Sequence, residues 1–207
     1  MKWIFFDLGA TLVDETEVYK SRCEYASRQL KIDIATFMEK VYEEAAISPT
    51  PIRSAAKACG VVLPEWDHSM EKLYDAVPAV LAALYGRYKL GIIANQSAGT
   101  QERIDKWGIG KYFDVVIGSA EAGCVKPDLK IFSMALDKAG CEAADAIMVG
   151  DRLDNDIIPA KKLGMKTVWV RQGYAIYQRI EDESKRPNHI VDSIAELSRL
   201  EENFFKI

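Results

Sequence analysis

Three short apolar runs, residues 3–6, 90–93 and 146–149, each stop on a residue that no buried strand carries inward: Asp7 after the first, Ala94-Asn95 after the second and Gly150-Asp151 after the third. Uninterrupted apolar runs of this length, bounded by turn residues, read as strands buried on both faces. From residue 79 onward such runs alternate with amphipathic stretches. Helices are expected near 79–85, 100–107, 128–139, 156–163 and 193–200, and strands near 90–94, 115–117, 146–149, 167–170 and 189–191. That alternation predicts an α/β fold, a Rossmann-like parallel sheet with helices on both faces.

Residues 15–78 break the rhythm. Their apolar positions recur at helical spacing, as in Val18, Cys23, Tyr25, Ala26 and Leu30, and nothing in the stretch reads as a strand. Pro51 and Pro64 stand where helix starts tolerate proline, which divides the stretch into three or four short helices. The expected organisation is an α/β core built from residues 1–14 and 79–207, with a small all-α domain inserted at 15–78. Most of Tyr19, Tyr25, Phe37, Tyr42, Trp66 and Tyr74 are expected in that domain's core, with one or two facing the substrate. The least anchored pieces are expected at 172–188 and 203–207.

The 207 residues carry 27 basic and 31 acidic side chains, a net charge of −4. An acidic chain lacks the basic face that displaces counterions from nucleic acid, so no nucleic-acid partner is expected. The four cysteines are widely spaced and form no C-x-x-C, as in reduced intracellular proteins. No apolar run approaches the roughly 20 residues of a membrane span. The first apolar stretch ends at a carboxylate and makes a poor signal peptide, so a cytoplasmic location without membrane association is expected. Either a monomer or a homodimer is compatible with the sequence.

In an open parallel sheet the carboxyl ends of the strands meet in one crevice, so Asp7 and Asp151 become neighbours there. Two carboxylates brought together away from water repel, and a shared divalent cation or a bound proton resolves the conflict. An all-oxygen set of this kind suits Mg²⁺. Lys126, in the loop ahead of Pro127, places a cation at the same crevice. Asp156, near the start of the following helix, is placed to partner Lys126 or the metal. His68 and His189 have no Ser, Cys or metal-type pattern near them, and no catalytic role is expected for either.

These residues, Phe5-Phe6-Asp7-Leu8-Gly9-Ala10-Thr11, then Ile92-Ile93-Ala94-Asn95, then Lys126-Pro127, then Gly150-Asp151 with Asp156, resemble the four ordered motifs of the haloacid dehalogenase-like hydrolase superfamily. The helical insert after the first motif is similar to the C1 cap of that superfamily. The resemblance implies that Asp7 is the nucleophile, which takes up a phosphoryl group as an aspartyl phosphate. It implies a Mg²⁺ ion held by Asp7, the Gly9 carbonyl and Asp151, with Asp156 beside them. Leu8, Gly9, Ala94, Asn95, Gln96 and Lys126 would contact the substrate, Thr11 would support the loop, and Asn95 and Lys126 would assist the chemistry. A small phosphorylated metabolite is the implied substrate.

Two positions depart from the superfamily pattern. Gly9 stands where phosphatases of this kind carry a second Asp that protonates the leaving group, help typically worth about 10²- to 10⁴-fold. Ala94 stands where a Ser or Thr hydroxyl is usual. Asp14, Glu15, Gln96 and Ser97 are the candidates to compensate. The alternatives are a weak or inactive member that binds a phospholigand or a protein, and a metal-independent 2-haloacid dehalogenase. Asp151 and Asp156, a metal-binding pattern, count against the dehalogenase.

Overall fold

The computed structural model describes residues 2–199. Strand β1 (Trp3–Phe6) is buried along its whole length and leads through a tight loop to β2 (Val13–Asp14). Three helices follow, α1 (Thr16–Leu30), α2 (Ile34–Ala45) and α3 (Pro51–Ala58). Asp33 caps α2 by accepting the Thr36 N–H at 3.0 Å, and Pro51 opens α3, where its missing N–H costs nothing. Pro64, by contrast, lies in a stretch without regular structure. A 3₁₀ turn (His68–Met70) then leads to β3 (Lys72–Leu73), which pairs antiparallel with β2. The expectation of no strand within 15–78 is therefore corrected. Two residues pair too briefly to leave a period-2 signature.

The rest of the chain alternates as expected: α4 (Val77–Leu84), β4 (Lys89–Ala94), α5 (Thr100–Lys106), β5 (Val115–Gly118), α6 (Ser119–Ala122), α7 (Leu129–Ala139), β6 (Ala146–Gly150), α8 (Ile158–Lys162), β7 (Lys166–Val170) and β8 (His189–Val191). Six strands form one parallel sheet in the order β5-β4-β1-β6-β7-β8, with Phe6 level with Ile92 on one side and Val149 on the other. The helix expected at 156–163 begins instead with a single π-helical turn (Leu153–Ile157) ahead of α8. The one expected at 193–200 is a 3₁₀ turn (Ile194–Arg199). Leu200 and the stretch 203–207 lie outside the described residues.

Strand alternation divides the core between the two faces of the sheet. Ile4, Phe6, Ile92 and Val149 pack with Val77 and Leu81 of α4, while Trp3, Phe5, Ile93 and Met148 pack with Ile131 and Phe132 of α7. The helices α1–α3 have a separate core, in which Cys23, Ala26, Phe37, Val41, Ile52 and Ala55 are buried. Of the aromatics expected there, Tyr42 is 40% exposed and Tyr74 packs on the sheet's core instead. Among the described residues no helix is long and apolar enough to cross a membrane, and all four cysteines are free.

Candidate active site

The crevice forms where β1, β4 and β6 end. The Asp7 N–H donates to the Val149 carbonyl at 2.9 Å, so the sheet's own hydrogen bonding fixes the first residue beyond β1. The chain then wraps around the Leu8 carbonyl, which accepts N–H groups from Thr11, Leu12 and Val13 at 3.2, 2.9 and 2.8 Å. Ala10 takes a left-handed conformation, φ 51°, to close this turn. The wrap buries the Leu8 side chain in the core and leaves Asp7, Gly9 and Ala10 facing the crevice.

Lys126 is buried, and its Nζ lies 2.6 Å from both Asp7 Oδ1 and Asp156 Oδ1. Asp151 stands beside them, and oxygens of Asp7, Asp151 and Asp156 come within 4.8 Å of one another. Thr11 Oγ1 donates to Asp151 Oδ1 at 3.3 Å, and the Arg152 N–H donates to Asp156 Oδ2 at 2.9 Å. Gly150 is required here, because a Cβ at this position would overlap the Asp156 carboxyl. Burial pushes the Asp151 carboxyl well above the usual range, and the charges of Asp156 and Asp7 push it further. Burial alone would lower the Lys126 ammonium, but the charges of Asp156 and Asp7 raise it above its ordinary value. Three carboxylates face a single ammonium, so the cluster is short of positive charge. Its oxygen donors and that deficit fit a hard divalent cation such as Mg²⁺.

Asn95 is committed to Lys126. Its Oδ1 accepts the Lys126 N–H at 2.7 Å, and its Nδ2 donates to the Lys126 carbonyl at 3.0 Å. Both ends of the amide thus hold the lysine's backbone. Gln96 lines the crevice, fastened through its N–H to Ser119 Oγ at 3.0 Å and through Oε1 to Arg103 Nη2 at 3.1 Å. Ala94 is fully buried in the sheet core and, like Leu8, forms no part of the crevice wall. Both were expected to contact substrate; the structure turns their side chains inward, because each continues the apolar side of its strand end.

The structure also brings to the crevice residues that lie outside the four motifs. Glu15, one of four candidates to compensate for Gly9, is buried, and its Oε1 would lie 2.5 Å from a Cβ placed on Gly9. Its carboxyl therefore fills the volume that a side chain at position 9 would enter. It accepts the Tyr19 hydroxyl. Burial first, and then the nearby Asp7 charge, push the Glu15 carboxyl up to about 8 against the opposing effect of the Tyr19 hydrogen bond. His68 joins the wall too, with Nδ1 3.0 Å from Glu71 Oε1 and Nε2 2.9 Å from Ser97 Oγ.

Arg152, in the turn after β6, is both ion-paired and buried. It pairs with Asp154 at 2.8 Å and donates to the carbonyls of Ala45 and Ser48 at 3.1 and 2.7 Å, which ties the helical lobe to the turn after β6. The start of the connector expected to be loose is fastened as well. Gln172 Nε2 donates to the Ala10 carbonyl at 3.0 Å, and Tyr174 packs its ring 5.2 Å from that of Tyr19. Together the core and the helical lobe enclose a cavity of about 700 Å³ above Asp7, a size that suits a small metabolite.

Comparison with known proteins matches residues 4–170 to the family model described as haloacid dehalogenase-like hydrolase. A glyceraldehyde 3-phosphate phosphatase of Pyrococcus furiosus is 40% identical over 221 aligned positions, covering 95% of this chain and 91% of the relative. A pyrimidine 5'-nucleotidase of Escherichia coli is 36% identical over 124 residues, covering 59% of this chain and 53% of the relative. The chain thus spans about half the length of that relative. Among solved structures, a predicted phosphoglycolate phosphatase from Haemophilus somnus superposes with a TM-score of 0.70 over 96% of this chain and 97% of that one, at 20% identity. A likeness at that identity speaks to the fold alone.

Proposed function

Since the chain belongs to the haloacid dehalogenase-like hydrolase family, we propose that it is a Mg²⁺-dependent phosphatase of small phosphorylated metabolites that works through an aspartyl phosphate on Asp7. The observation that carries this reading is Lys126 bridging Asp7 and Asp156 beside Asp151, at the floor of a cavity of metabolite size. Relatives named as phosphatases support it.

In this reading the Asp7 carboxylate attacks phosphorus, the bond from phosphorus to the substrate oxygen breaks, and a water later cleaves the aspartyl phosphate to release inorganic phosphate. Lys126 holds Asp7 in position and faces the phosphoryl oxygens, and Asn95 acts by holding Lys126. Asp7, Asp151 and the Gly9 carbonyl, with Asp156 adjacent, would hold Mg²⁺, which supplies neutralising charge to the phosphoryl group. Gly9 withholds the usual second carboxyl, and Glu15 brings one to the same space from the start of α1. A carboxyl raised to about 8 still carries its proton at neutral pH and can pass it to the departing oxygen. Residues 15–78 act as a C1-type cap over a core made of 1–14 and 79–207, and the cap excludes water and selects the substrate.

The test is hydrolysis of an aryl phosphate by the wild type and by Asp7→Asn, with Mg²⁺ and with EDTA. An aryl oxide leaves without needing a proton, so the first step is visible whatever serves as acid. Turnover that requires Mg²⁺ and is lost in Asp7→Asn is the expected result. Absence of turnover in the wild type, or halide release from 2-haloacids in EDTA, would overturn the proposal.

A further inference from the structure

The roof of the cavity has a charge opposite to its floor. Arg22, on α1, is only 6% exposed and lines the cavity, yet its guanidinium makes one hydrogen bond among the described residues, from Nη1 to the Pro64 carbonyl at 2.7 Å. One face of the guanidinium lies over the Trp66 ring, 5.4 Å from its centroid. Trp66 is itself held, through its Nε1–H to Glu71 Oε1 at 2.7 Å and through an edge contact with Tyr19 at 5.6 Å. Arg53 and Lys57 line the same wall from α3. They stand four residues apart and so share one face of that helix. Among the described residues none of these three cations is in an ion pair, although Glu65 lines the cavity near them.

A buried guanidinium costs free energy unless an anion or several acceptors meet it. Arg22 has one hydrogen-bond acceptor, and of its charged neighbours Arg53 opposes it while Glu65 favours it. Glu65 does not form an ion pair with it among the described residues, and Asp7, Asp151 and Asp156 are already gathered around Lys126 at the floor. The missing counter-charge is therefore best supplied by whatever fills the space between roof and floor.

We infer that Arg22, Arg53 and Lys57 form a second anion subsite, so that the preferred substrate is a phosphate monoester whose far end carries another anionic group, a carboxylate or a second phosphate. The inference rests on the phosphatase reading for the orientation of the substrate, with its scissile phosphate on Asp7. Trp66 acts here as a positioning residue, holding the Arg22 guanidinium plane toward the cavity.

The test compares three-carbon ligands that differ at one end: 3-phosphoglycerate, glycerol 1,3-bisphosphate and glycerol 3-phosphate. Affinities are measured by calorimetry on Asp7→Asn with Mg²⁺, and kcat/KM by phosphate release from the wild type. A charge-assisted contact made by a buried cation predicts about 10-fold or greater preference for an anionic end over the neutral one. That preference should shrink to within about 3-fold in Arg22→Gln, and partly in Arg53→Gln and Lys57→Gln, whose exposed positions keep the test available if Arg22→Gln does not fold. Preference for 3-phosphoglycerate alone identifies a carboxylate, and preference for the bisphosphate alone identifies a phosphate. Equal affinity for all three, or a preference that survives all three substitutions, overturns the inference. Failure of the wild type to release phosphate from any ligand, while calorimetry still ranks them by charge, would remove the phosphatase reading and leave the anion subsite standing.

Discussion

Replacing Glu15 by Gln should change how the stability of the fold responds to pH. The Glu15 carboxyl is 7% exposed and is raised from 4.5 to about 8. At about 1.36 kcal/mol per pH unit, ionising it inside the fold costs about 5 kcal/mol more than ionising it in the unfolded chain. Between those two values the folded state holds a proton that the unfolded state has released, so stability falls as pH rises. The contribution is fully present below about 4.5 and is lost by the time pH has passed about 8. Glutamine has nearly the same shape, still accepts the Tyr19 hydroxyl and does not titrate, so the variant lacks this slope. Asp151 and Asp156 are also raised and tilt both proteins in the same direction, so the quantity to read is the difference between variant and wild type. Urea denaturation in EDTA at intervals from pH 5 to 9 should show Glu15→Gln gaining on the wild type by several kcal/mol across that span. A difference that stays within about 1 kcal/mol at every pH would refute a buried, proton-holding carboxyl beside Gly9.

The same substitution should separate substrates by leaving group: Glu15→Gln is expected to lower kcat for glycerol 3-phosphate about 10²- to 10⁴-fold and to affect an aryl phosphate far less, and equal losses on both would argue against proton donation. Gly9→Asp should not improve the enzyme, because the new Cβ meets Glu15 Oε1 at 2.5 Å, whereas Gly9→Asp combined with Glu15→Ala has room for the new carboxyl. Phosphate-release assays of the single and double variants check this, and higher activity in the single variant would show that Glu15 moves aside at little cost. Asn95→Ala removes both bonds to the Lys126 backbone, and a destabilisation of about 1–3 kcal/mol with lower kcat and nearly unchanged KM is expected from denaturation and steady-state kinetics.

Much of the sheet and of the crevice at its carboxyl edge was legible because the signal is local. A four-residue apolar run followed by Asp, as at Phe6-Asp7, states both that a strand is buried and that its end is polar. The parallel rule then brings Asp7, Asp151 and the loop of Lys126 together without any knowledge of side-chain directions. The short β2–β3 pair left no trace, since two residues cannot express a period. The turn at Leu153–Ile157 could not be told from the first turn of an ordinary helix.

The cavity's specificity was not legible for a different reason. Helical periodicity says which face of α1 is apolar, but it does not say what stands opposite its polar face. Arg22 therefore looks in sequence like any other charged residue of an amphipathic stretch, and Glu15 is not separated there from Asp14, Gln96 and Ser97 as the group that meets Gly9. Only folding the helical lobe back onto the strand ends, with Arg152 tying the two together, buries Glu15 beside Gly9 and leaves Arg22 buried without an ion pair among the described residues. The convergence of Asp7, Lys126, Asp151 and Asp156 was thus determined by sequence, because strand ends meet by topology. The proposed proton source and the proposed anion subsite rest on tertiary structure, because both depend on which polar groups lose their water when the lobe meets the core.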